Sequence, residues 1–299
     1  MEQEFTLHSW EFFQHDDLKL ELIERDPQIP FPLHTHDFSE LVIVLSGTGI
    51  HFTYGDEYQI APGDVFYIES GFAHGYKDTR KLHLYNILFD PSLLGRGFID
   101  ITHMPGYHSI FHVEPKYREN HRFESRLQLT EEQIASVSAL IDALRQELTI
   151  TSLEEGSKAM AMAFFIELVV NLSRFYGAGV QKQNSEISAL SRVLSYMEQH
   201  RDRQISLQEL LDRSYMSYST LNRAFRQATG YSPIEYHIRL RIRDACRKLV
   251  SSPLAITEIA YQCGFEDSNY FSRQFKNMLG VTPRSYRRAQ SHIEMQRSG

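Results

Sequence analysis

The chain has 299 residues, of which 42% are hydrophobic and 12% aromatic, a composition that excludes intrinsic disorder and predicts two folded domains. The charge is divided unevenly, because residues 184–299 carry 17 basic and 11 acidic side chains whereas residues 1–183 carry 14 and 27. The second half is therefore the one expected to bind a polyanion, with two ordinary solvated surfaces as the alternative.

The N-terminus and the cysteines bear on where the protein is located. The first residues, MEQEFTLHSW, lack the basic and apolar regions of a signal peptide, so none is predicted. No apolar run reaches ~18 residues, and we therefore expect no membrane span. The only cysteines, Cys246 and Cys263, fall in helical patterns and are expected to be buried thiols rather than a disulfide framework or a metal site. Together these features predict a cytoplasmic protein.

Short strands dominate the first part of the chain. Residues 5–112 contain runs such as LKLELIER, LVIVLSG and KLHLYNILF, separated by turn residues at roughly regular spacing. This pattern predicts an all-β barrel or sandwich, which we place at residues 1–125.

The hydrophobic period changes to that of helices in the next segment, residues 126–178. Thr130 and Gln133 have the spacing of a capping box, and apolar residues recur after them at helical spacing. A second helix, Leu153–Tyr176, is apolar almost all round, so we expect it to be buried in the domain or in a dimer interface. We interpret this segment as a helical dimerisation segment, followed by a small polar linker at 179–186.

An internal repeat is the strongest signal in the sequence. The run RAFRQATGYSPIEY at 223–236 matches RQFKNMLGVTPRSY at 273–286 with an offset of 50 residues. A helix, a tight turn and a second helix are predicted upstream of each match. The duplication covers the turn residues as well as the apolar stripe, which indicates two copies of one supersecondary unit.

Each copy has the pattern of a helix-turn-helix unit. In the second copy, Gly264 is predicted to end the first helix and Phe265 to fill the corner. Phe271, Phe275 and Leu279 follow at i, i+4 and i+8 and are expected to face inward. The corresponding apolar stripe of the first copy comprises Leu207, Leu210, Leu211, Leu221 and Phe225.

Helix caps and a connecting helix complete this all-α domain. Ser206 and Glu209 have capping-box spacing, and Asp267 or Ser268 is expected to cap the second helix of the second copy. Residues 234–249 read as one long helix, which would hold the two units at a fixed separation near one DNA turn, ~34 Å.

The outward-facing side chains of the second helices suit DNA. Hydroxyl and amide groups bond phosphates or base edges, and arginine forks onto guanine. The candidate DNA-binding residues are Ser219, Asn222, Arg223 and Arg226 in the first copy, and Ser268, Asn269, Arg273 and Gln274 in the second, where Asn277 also faces outward. We expect the second helix of each unit to enter the major groove, with a plain helical bundle as the alternative.

The run IAYQCGFEDSNYFSRQFKNMLGVTPRSYRR resembles the signature of AraC/XylS-type transcription regulators, and the resemblance covers residues 187–288. It implies a DNA-binding domain, here at 187–290, coupled to an N-terminal ligand-sensing or dimerising domain. It also implies that the candidate residues read bases, with Arg226 and Lys276 nearer the phosphates. The implied partners are a double-stranded DNA operator, a second copy of the chain and RNA polymerase.

A histidine pattern in the first half points to a binding site. His34, His36 and Glu40 share even parity and so face one side of an extended segment, and His74 follows a later strand. The spacing HxHxxxE with a distant histidine resembles the cupin motifs, which implies a small β-barrel in which these four side chains converge and can bind a divalent metal. Imidazoles with one carboxylate suit zinc, nickel, iron or manganese. Three interpretations stay open: an organic pocket without metal, a metal that assists the ligand, and histidines that are only structural.

The runs HTHDFSELVIVLSGTGIHF, GDVFYIESGFAHGY and LYNILFDP resemble the sensor domains of L-rhamnose-responsive regulators within the same family. The resemblance implies L-rhamnose or a related sugar as the effector. Such a site needs polar groups beside an aromatic face. The candidate effector-binding residues are His34, His36, Glu40, Tyr67, His74 and Tyr85. Ordinary strand packing is the alternative for the two tyrosines.

The sequence thus predicts an α+β multidomain protein, with a cupin-like β-barrel and helical dimerisation segment followed by an all-α domain with two helix-turn-helix units. The expected function is DNA-binding transcription regulation controlled by a small-molecule effector. One alternative is a constitutive DNA-binding dimer with a non-sensing barrel. The other is a metal-cupin enzyme fused to a DNA-binding domain, and against it we find no further acid–base group to assign as catalytic.

Overall fold

The computed structural model describes residues 5–15, 17–95, 100–119, 127–149, 155–180 and 186–289. The chain divides into two units, Met1–Ser191 and Arg192–Gly299. The sequence-based boundary between residues 125 and 126, most of the linker expected at 179–186 and the expected end at residue 290 lie outside the described residues.

The first unit is built on one eight-stranded sheet. Its strands are β1 (Phe5–Leu7), β2 (Leu20–Arg25), β3 (Phe31–His36), β4 (Ser39–Phe52), β5 (Glu57–Ile60), β6 (Asp64–Ile68), β7 (His74–Phe89) and β8 (Leu127–Gln128). They pair in the order β1-β3-β7-β4-β6-β8, while β2 adds to β7 and β5 adds to β4. Only the β1–β3 pair is parallel among these pairings. The long strands β4 and β7 pair along most of their length and form the centre of the sheet.

Alternate residues of β7 face two different cores. Tyr85, Ile87 and Phe89 belong to a cluster that also contains the buried side chains of the helices. Leu84 belongs instead to a second cluster, which includes Val42 from β4 and lies on the other, concave face of the sheet. The period-2 alternation of a strand therefore places one face against helices and the other inside the curved sheet.

The strands expected up to residue 112 end earlier, at Phe89, and β8 is the one strand that follows in the described part of the chain. Residues 91–95 and 100–119 form short helical turns instead, including a π-helical turn at Ser109–Val113. Gly106 allows this segment to lie directly on the next helical layer, because a Cβ there would meet the carbonyl oxygen of Ser173 at 1.9 Å. The helices of the first unit are α1 (Ser9–Phe12), α2 (Pro105–His108), α3 (Glu114–Glu119), α4 (Glu131–Thr149) and α5 (Ser157–Val180), and α6 (Glu186–Gln199) follows.

Helices α4 and α5 pack on the outer face of the sheet. The capping box expected at the start of α4 is confirmed, since the Thr130 amide donates to Gln133 and the Gln133 amide donates back to the Thr130 hydroxyl. α5 begins at Ser157, four residues later than expected. Its segment Ser157–Ala178 is long and apolar enough to cross a membrane by length and composition alone, with 39% of it buried. Its buried side chains belong to the core of the first unit.

The second unit contains the helix-turn-helix pair. Its remaining helices are α7 (Leu207–Ser214), α8 (Tyr218–Thr229), α9 (Pro233–Ser251), α10 (Ile256–Gln262) and α11 (Ser268–Leu279). The capping box of Ser206 and Glu209 is confirmed, as is the cap of α11 by the Asp267 side chain. α9 is the single long helix expected between the repeats.

The core of the second copy follows the predicted stripe in all but one position. Phe265, Phe271 and Phe275 are buried together, and Gly264 has the left-handed φ of 74° that ends the first helix. The prediction that Leu279 faces inward is wrong, because this side chain is 42% exposed. Leu279 is the last residue of α11 and directly precedes the C-cap Gly280.

Candidate effector cavity and nucleic-acid interface

A cavity of about 260 Å³ opens inside the curved sheet of the first unit. This volume suits a single small molecule. Most of its wall is apolar, with side chains contributed by the N-terminal segment and by strands β2, β4 and β7. The lining residues are Leu7, Phe12, Ile23, Arg25, Pro27, Gln28, Ile29, Phe31, His34, Phe38, Glu40, His74, Tyr76, Asn86 and Leu88.

Three of the expected histidines are held in the same tautomer by the backbone. The Nδ1 atoms of His34, His36 and His74 lie 3.0, 2.6 and 3.3 Å from the carbonyl oxygens of residues 32, 38 and 72, respectively. A carbonyl only accepts hydrogen bonds, so each Nδ1 carries the proton and donates. The Nε2 atom of each ring then lies on the opposite side, where it can bind a proton, a cation or a hydrogen-bond donor.

Two of these Nε2 atoms face the carboxylate of Glu40. The Nε2 atoms of His36 and His74 lie 3.4 and 3.5 Å from Glu40 Oε2, and all three side chains are at most 5% exposed. Both Nε2 atoms lack a hydrogen-bond partner in the described part of the chain. A carboxylate oxygen and a nitrogen lone pair attract each other only when a proton or a cation lies between them. The cluster is therefore an acceptor site that is completed by a proton or by a positively charged or hydrogen-donating ligand.

The burial of this cluster shifts its titration. Burial alone would raise the pKa of Glu40, but the interactions with His36 and His74 outweigh burial and hold its pKa below the usual range. Burial and the neighbouring His74 lower the pKa of His34 to about 4, so its imidazole is neutral near pH 7. The inner end of the cavity thus combines a carboxylate with at least one neutral imidazole.

The structure brings together four of the six candidate effector residues. His34, Glu40 and His74 line the cavity, and His36 completes the cluster behind them. The donor atoms of His36, Glu40 and His74 all lie within 4.8 Å of one another. His34 is next to this group, with its ring centre 4.3 Å from that of His74.

The prediction that Tyr67 and Tyr85 line the pocket is wrong. Both side chains lie on the opposite face of the sheet, within the helix-facing core. The hydroxyl of Tyr67 is paired with that of Ser39 at 2.7 Å, and burial raises the pKa of Tyr67 to about 12. Strand parity explains the error, because Tyr85 alternates with the cavity-lining Asn86.

Several cavity residues have no counterpart among the candidates. Tyr76 shares the parity of His74 on β7, a signal that was present in the sequence, whereas Arg25 and Gln28 come from the end of β2 and the loop after it and carry no such signal. His51 is also buried, beside His74 and Tyr76 with ring centres 5.4 Å away in both cases. The Tyr76 hydroxyl, the Asn86 Oδ1 atom and both ring nitrogens of His51 have no hydrogen-bond partner among the described residues.

The candidate DNA-binding residues lie on α8 and α11, on the faces opposite the cores of the two helix-turn-helix copies. On α8, Ser219, Arg223 and Arg226 are exposed and Asn222 is half-buried, while Leu221 and Phe225 anchor the other face. This arrangement leaves a row of hydroxyl, amide and guanidinium groups available to a partner.

Helix α11 presents a matching row. Asn269, Arg273 and Lys276 are exposed, and Ser268 and Gln274 are half-buried. The Arg273 guanidinium lies 5.4 Å from the centre of the Tyr270 ring, a cation–π contact that restricts where the guanidinium points. Each recognition-type helix is thus fixed by phenylalanines on one face and polar on the other.

Comparisons with known proteins match two parts of the chain to protein families. Residues 18–169 match the AraC-like ligand binding domain family, and residues 210–289 match a helix-turn-helix domain family. The chain is 30% identical over 279 residues to the HTH-type transcriptional activator RhaR of Mannheimia succiniciproducens, covering 92% of this chain and 94% of the relative. It is 32% identical over 281 residues to the HTH-type transcriptional activator RhaS of Escherichia fergusonii, covering 94% and 96%.

Among solved structures, the DNA-binding domain of AdpA in complex with a target DNA is 32% identical, covers 36% of this chain and 97% of that chain, and has a TM-score of 0.35. The family matches span both units, and the relatives extend along nearly the whole chain. The chain belongs to the AraC family of helix-turn-helix transcription regulators, with an AraC-like ligand-binding domain preceding its DNA-binding domain.

Proposed function

We propose that the protein is a transcription activator that binds a double-stranded DNA operator through α8 and α11 and is controlled by a neutral sugar bound in the cavity. The observation that carries the effector part of this proposal is the cluster of His36, Glu40 and His74 at a mostly apolar cavity that Glu40 and His74 line. Sugar hydroxyls donate hydrogen bonds, and this end of the cavity offers acceptors. The names of the relatives, activators of the RhaR and RhaS type, support L-rhamnose or a related sugar as the effector.

Isothermal calorimetry tests the effector. L-rhamnose is titrated into the full-length protein, with arabinose, fucose and mannose as controls. Saturable binding of L-rhamnose that is lost in Glu40→Gln supports the assignment, because Gln removes the charge while keeping the size of the side chain. The matched control is Glu57→Gln, an exposed glutamate on β5 outside the cavity. Silence with L-rhamnose in folded protein contradicts this effector and leaves the DNA-binding role standing.

The same cluster fits a divalent cation. Two Nε2 lone pairs and a carboxylate are the ligand set that zinc, nickel, iron and manganese accept, and the hydrogen bonds from Nδ1 fix the rings in the orientation that metal ligation needs. His36, Glu40 and His74 would hold the ion, with His34 beside them, and the ion would supply positive charge against which sugar hydroxyls bind. Elemental analysis of protein purified without added metal or a histidine tag decides between direct and ion-assisted binding. A content near zero that added metal does not raise contradicts the ion.

Helices α4 and α5 are our candidates for a homodimer contact. Met160 is 45% exposed, and Phe164, Ile166 and Val170 on the same helix are only half-buried. Apolar side chains in this state favour a partner surface. Sedimentation of the wild type and of Met160→Lys measures the contact, which a concentration-independent monomer in the wild type would contradict.

We further propose a cytoplasmic location, RNA polymerase as a partner and no catalytic role.

A further inference from the structure

The corner between α7 and α8 contains a residue in an unfavourable backbone conformation. Tyr215 follows the last residue of α7 with φ 56° and ψ 28°, in the left-handed region. In the second copy of the repeat, the left-handed residue of the corner is Gly264, with φ 74°. Glycine adopts this conformation without steric cost, whereas a residue with a Cβ does not. At the offset of 50 residues Tyr215 aligns with Phe265, so the left-handed residue of the first copy lies one position later than Gly264 and carries a side chain.

Nothing within the described part of the chain offsets this cost. The Tyr215 side chain is 88% exposed, more than the other exposed large hydrophobic side chains. Its backbone amide donates to the Leu211 carbonyl at 2.9 Å, a bond that any residue at this position would make. No hydrogen bond, ion pair or ring contact of its phenol ring is found among the described residues. Backbone strain of this kind is concentrated at functional sites.

The position of the corner suggests what the side chain contacts. In a helix-turn-helix, the first helix crosses the DNA backbone and the N-terminal residues of the second helix reach the base edges. Tyr215 lies between these two helices, three residues before the start of α8. The exposed Ser219 and Arg223 on α8 are candidate base contacts of the first helix-turn-helix copy. A side chain that projects from this corner is therefore next to the sugar–phosphate backbone at the edge of the groove.

We propose that Tyr215 is a DNA-backbone contact, with its phenol O–H donating a hydrogen bond to a phosphate oxygen. This inference rests on the DNA-binding role of the second unit. A neutral hydroxyl positions the protein on the duplex without reading sequence. Because it releases no counterion, its contribution to affinity is independent of salt.

The test uses the full-length protein and a 30-base-pair duplex of mixed sequence, with binding followed by fluorescence anisotropy at several salt concentrations. Tyr215→Phe removes only the hydroxyl, and Tyr215→Gly also removes the ring and the strain. A hydrogen bond to a charged group predicts about tenfold weaker binding for both variants. The slope of affinity against salt is expected to equal that of the wild type, and the melting temperature of Tyr215→Gly is expected not to fall.

A matched control comes from the first unit, where Lys81 also has a positive φ of 48°. Lys81→Gly relieves the same type of strain and is expected to bind DNA like the wild type. Wild-type affinity in both Tyr215 variants overturns the proposal. So does a loss of affinity that comes with a lower melting temperature or a changed salt slope, since either assigns the effect to damaged packing or displaced arginines. A wild type that binds no duplex contradicts the DNA-binding role itself, and Tyr215 with it.

Discussion

His237 on α9 is expected to make the second unit sensitive to acid. The side chain is 2% exposed, and its Nε2 donates to the His200 carbonyl at 3.3 Å. Burial, together with the nearby positive charge of Arg241, lowers the pKa of His237 from 6.5 to about 4. In the unfolded chain the imidazole is solvated and takes up its proton near pH 6.5.

The sign and size of the effect follow from this difference. Between pH 6.5 and pH 4 only the unfolded state binds the proton, so the free energy of unfolding falls as the pH is lowered through this window. When the pH falls from 7 to 5, a folded-state pKa of about 4 against 6.5 in the unfolded chain lowers the free energy of unfolding by about 2 kcal/mol. His237→Gln removes the titration while keeping an N–H donor for the His200 carbonyl.

The assay is hydrogen exchange by mass spectrometry of peptides from α8 and α9, which reports the opening of the second unit separately from the first. The wild type is expected to lose about 2 kcal/mol more than His237→Gln between pH 7 and pH 5. His200→Gln serves as a control, because it removes the half-buried imidazole of His200 but retains the backbone carbonyl that His237 contacts. This variant is expected to keep the acid sensitivity of His237. Equal losses in the wild type and in His237→Gln would refute the reasoning.

Three further predictions concern DNA recognition, packing and the cavity. Arg273→Ala is expected to lose about 1–3 kcal/mol of discrimination between matched and mismatched bases, whereas Lys276→Ala weakens binding to all sequences and reduces the slope of log affinity against log salt by about 1. A gel-shift series on matched and mismatched duplexes at several salt concentrations measures both effects. Wild-type discrimination in Arg273→Ala would count against its role. Phe271→Ala empties a fully buried site and should lower the free energy of unfolding by about 3–5 kcal/mol in urea titrations, with a loss below 1 kcal/mol as the contrary result. Tyr76→Phe removes a buried hydroxyl that has no hydrogen-bond partner among the described residues. We therefore expect the free energy of unfolding of the ligand-free protein to rise by about 1 kcal/mol and sugar binding to weaken. Unchanged sugar affinity would exclude this hydroxyl from the site.

The second half of the chain was predictable in detail because its signals are local. Caps, corner glycines and the apolar stripe are set by residues three or four apart, and Ser206, Asp267 and Gly264 fulfil the roles that their spacing indicates. Leu279 shows the limit of this reasoning. Helical periodicity assigns it to the inner face, but burial at a helix end depends on whether another element covers it.

The first half was predictable in its chemistry and less so in its geometry. His34, His36, Glu40 and His74 converge as the motif indicates, although the last of them comes from a distant strand. The side of the sheet that Tyr85 faces follows from strand parity, since His74 and Asn86 line the cavity and Tyr85 has the opposite parity, whereas Tyr85 is a candidate because of its aromatic ring. The helical turns after residue 90 were missed because they are too short to show a helical period.

The two-sided burial of β7 has a consequence for how the sensor evolves. Asn86 lines the cavity, and the adjacent Tyr85 packs in the helix-facing core, so the same stretch of backbone serves both. Repacking the core around Tyr85 shifts that backbone and thereby changes the position of Asn86 without altering a single cavity residue. Selection for a new effector is therefore expected to yield substitutions in α4 and α5 as well as in the cavity wall.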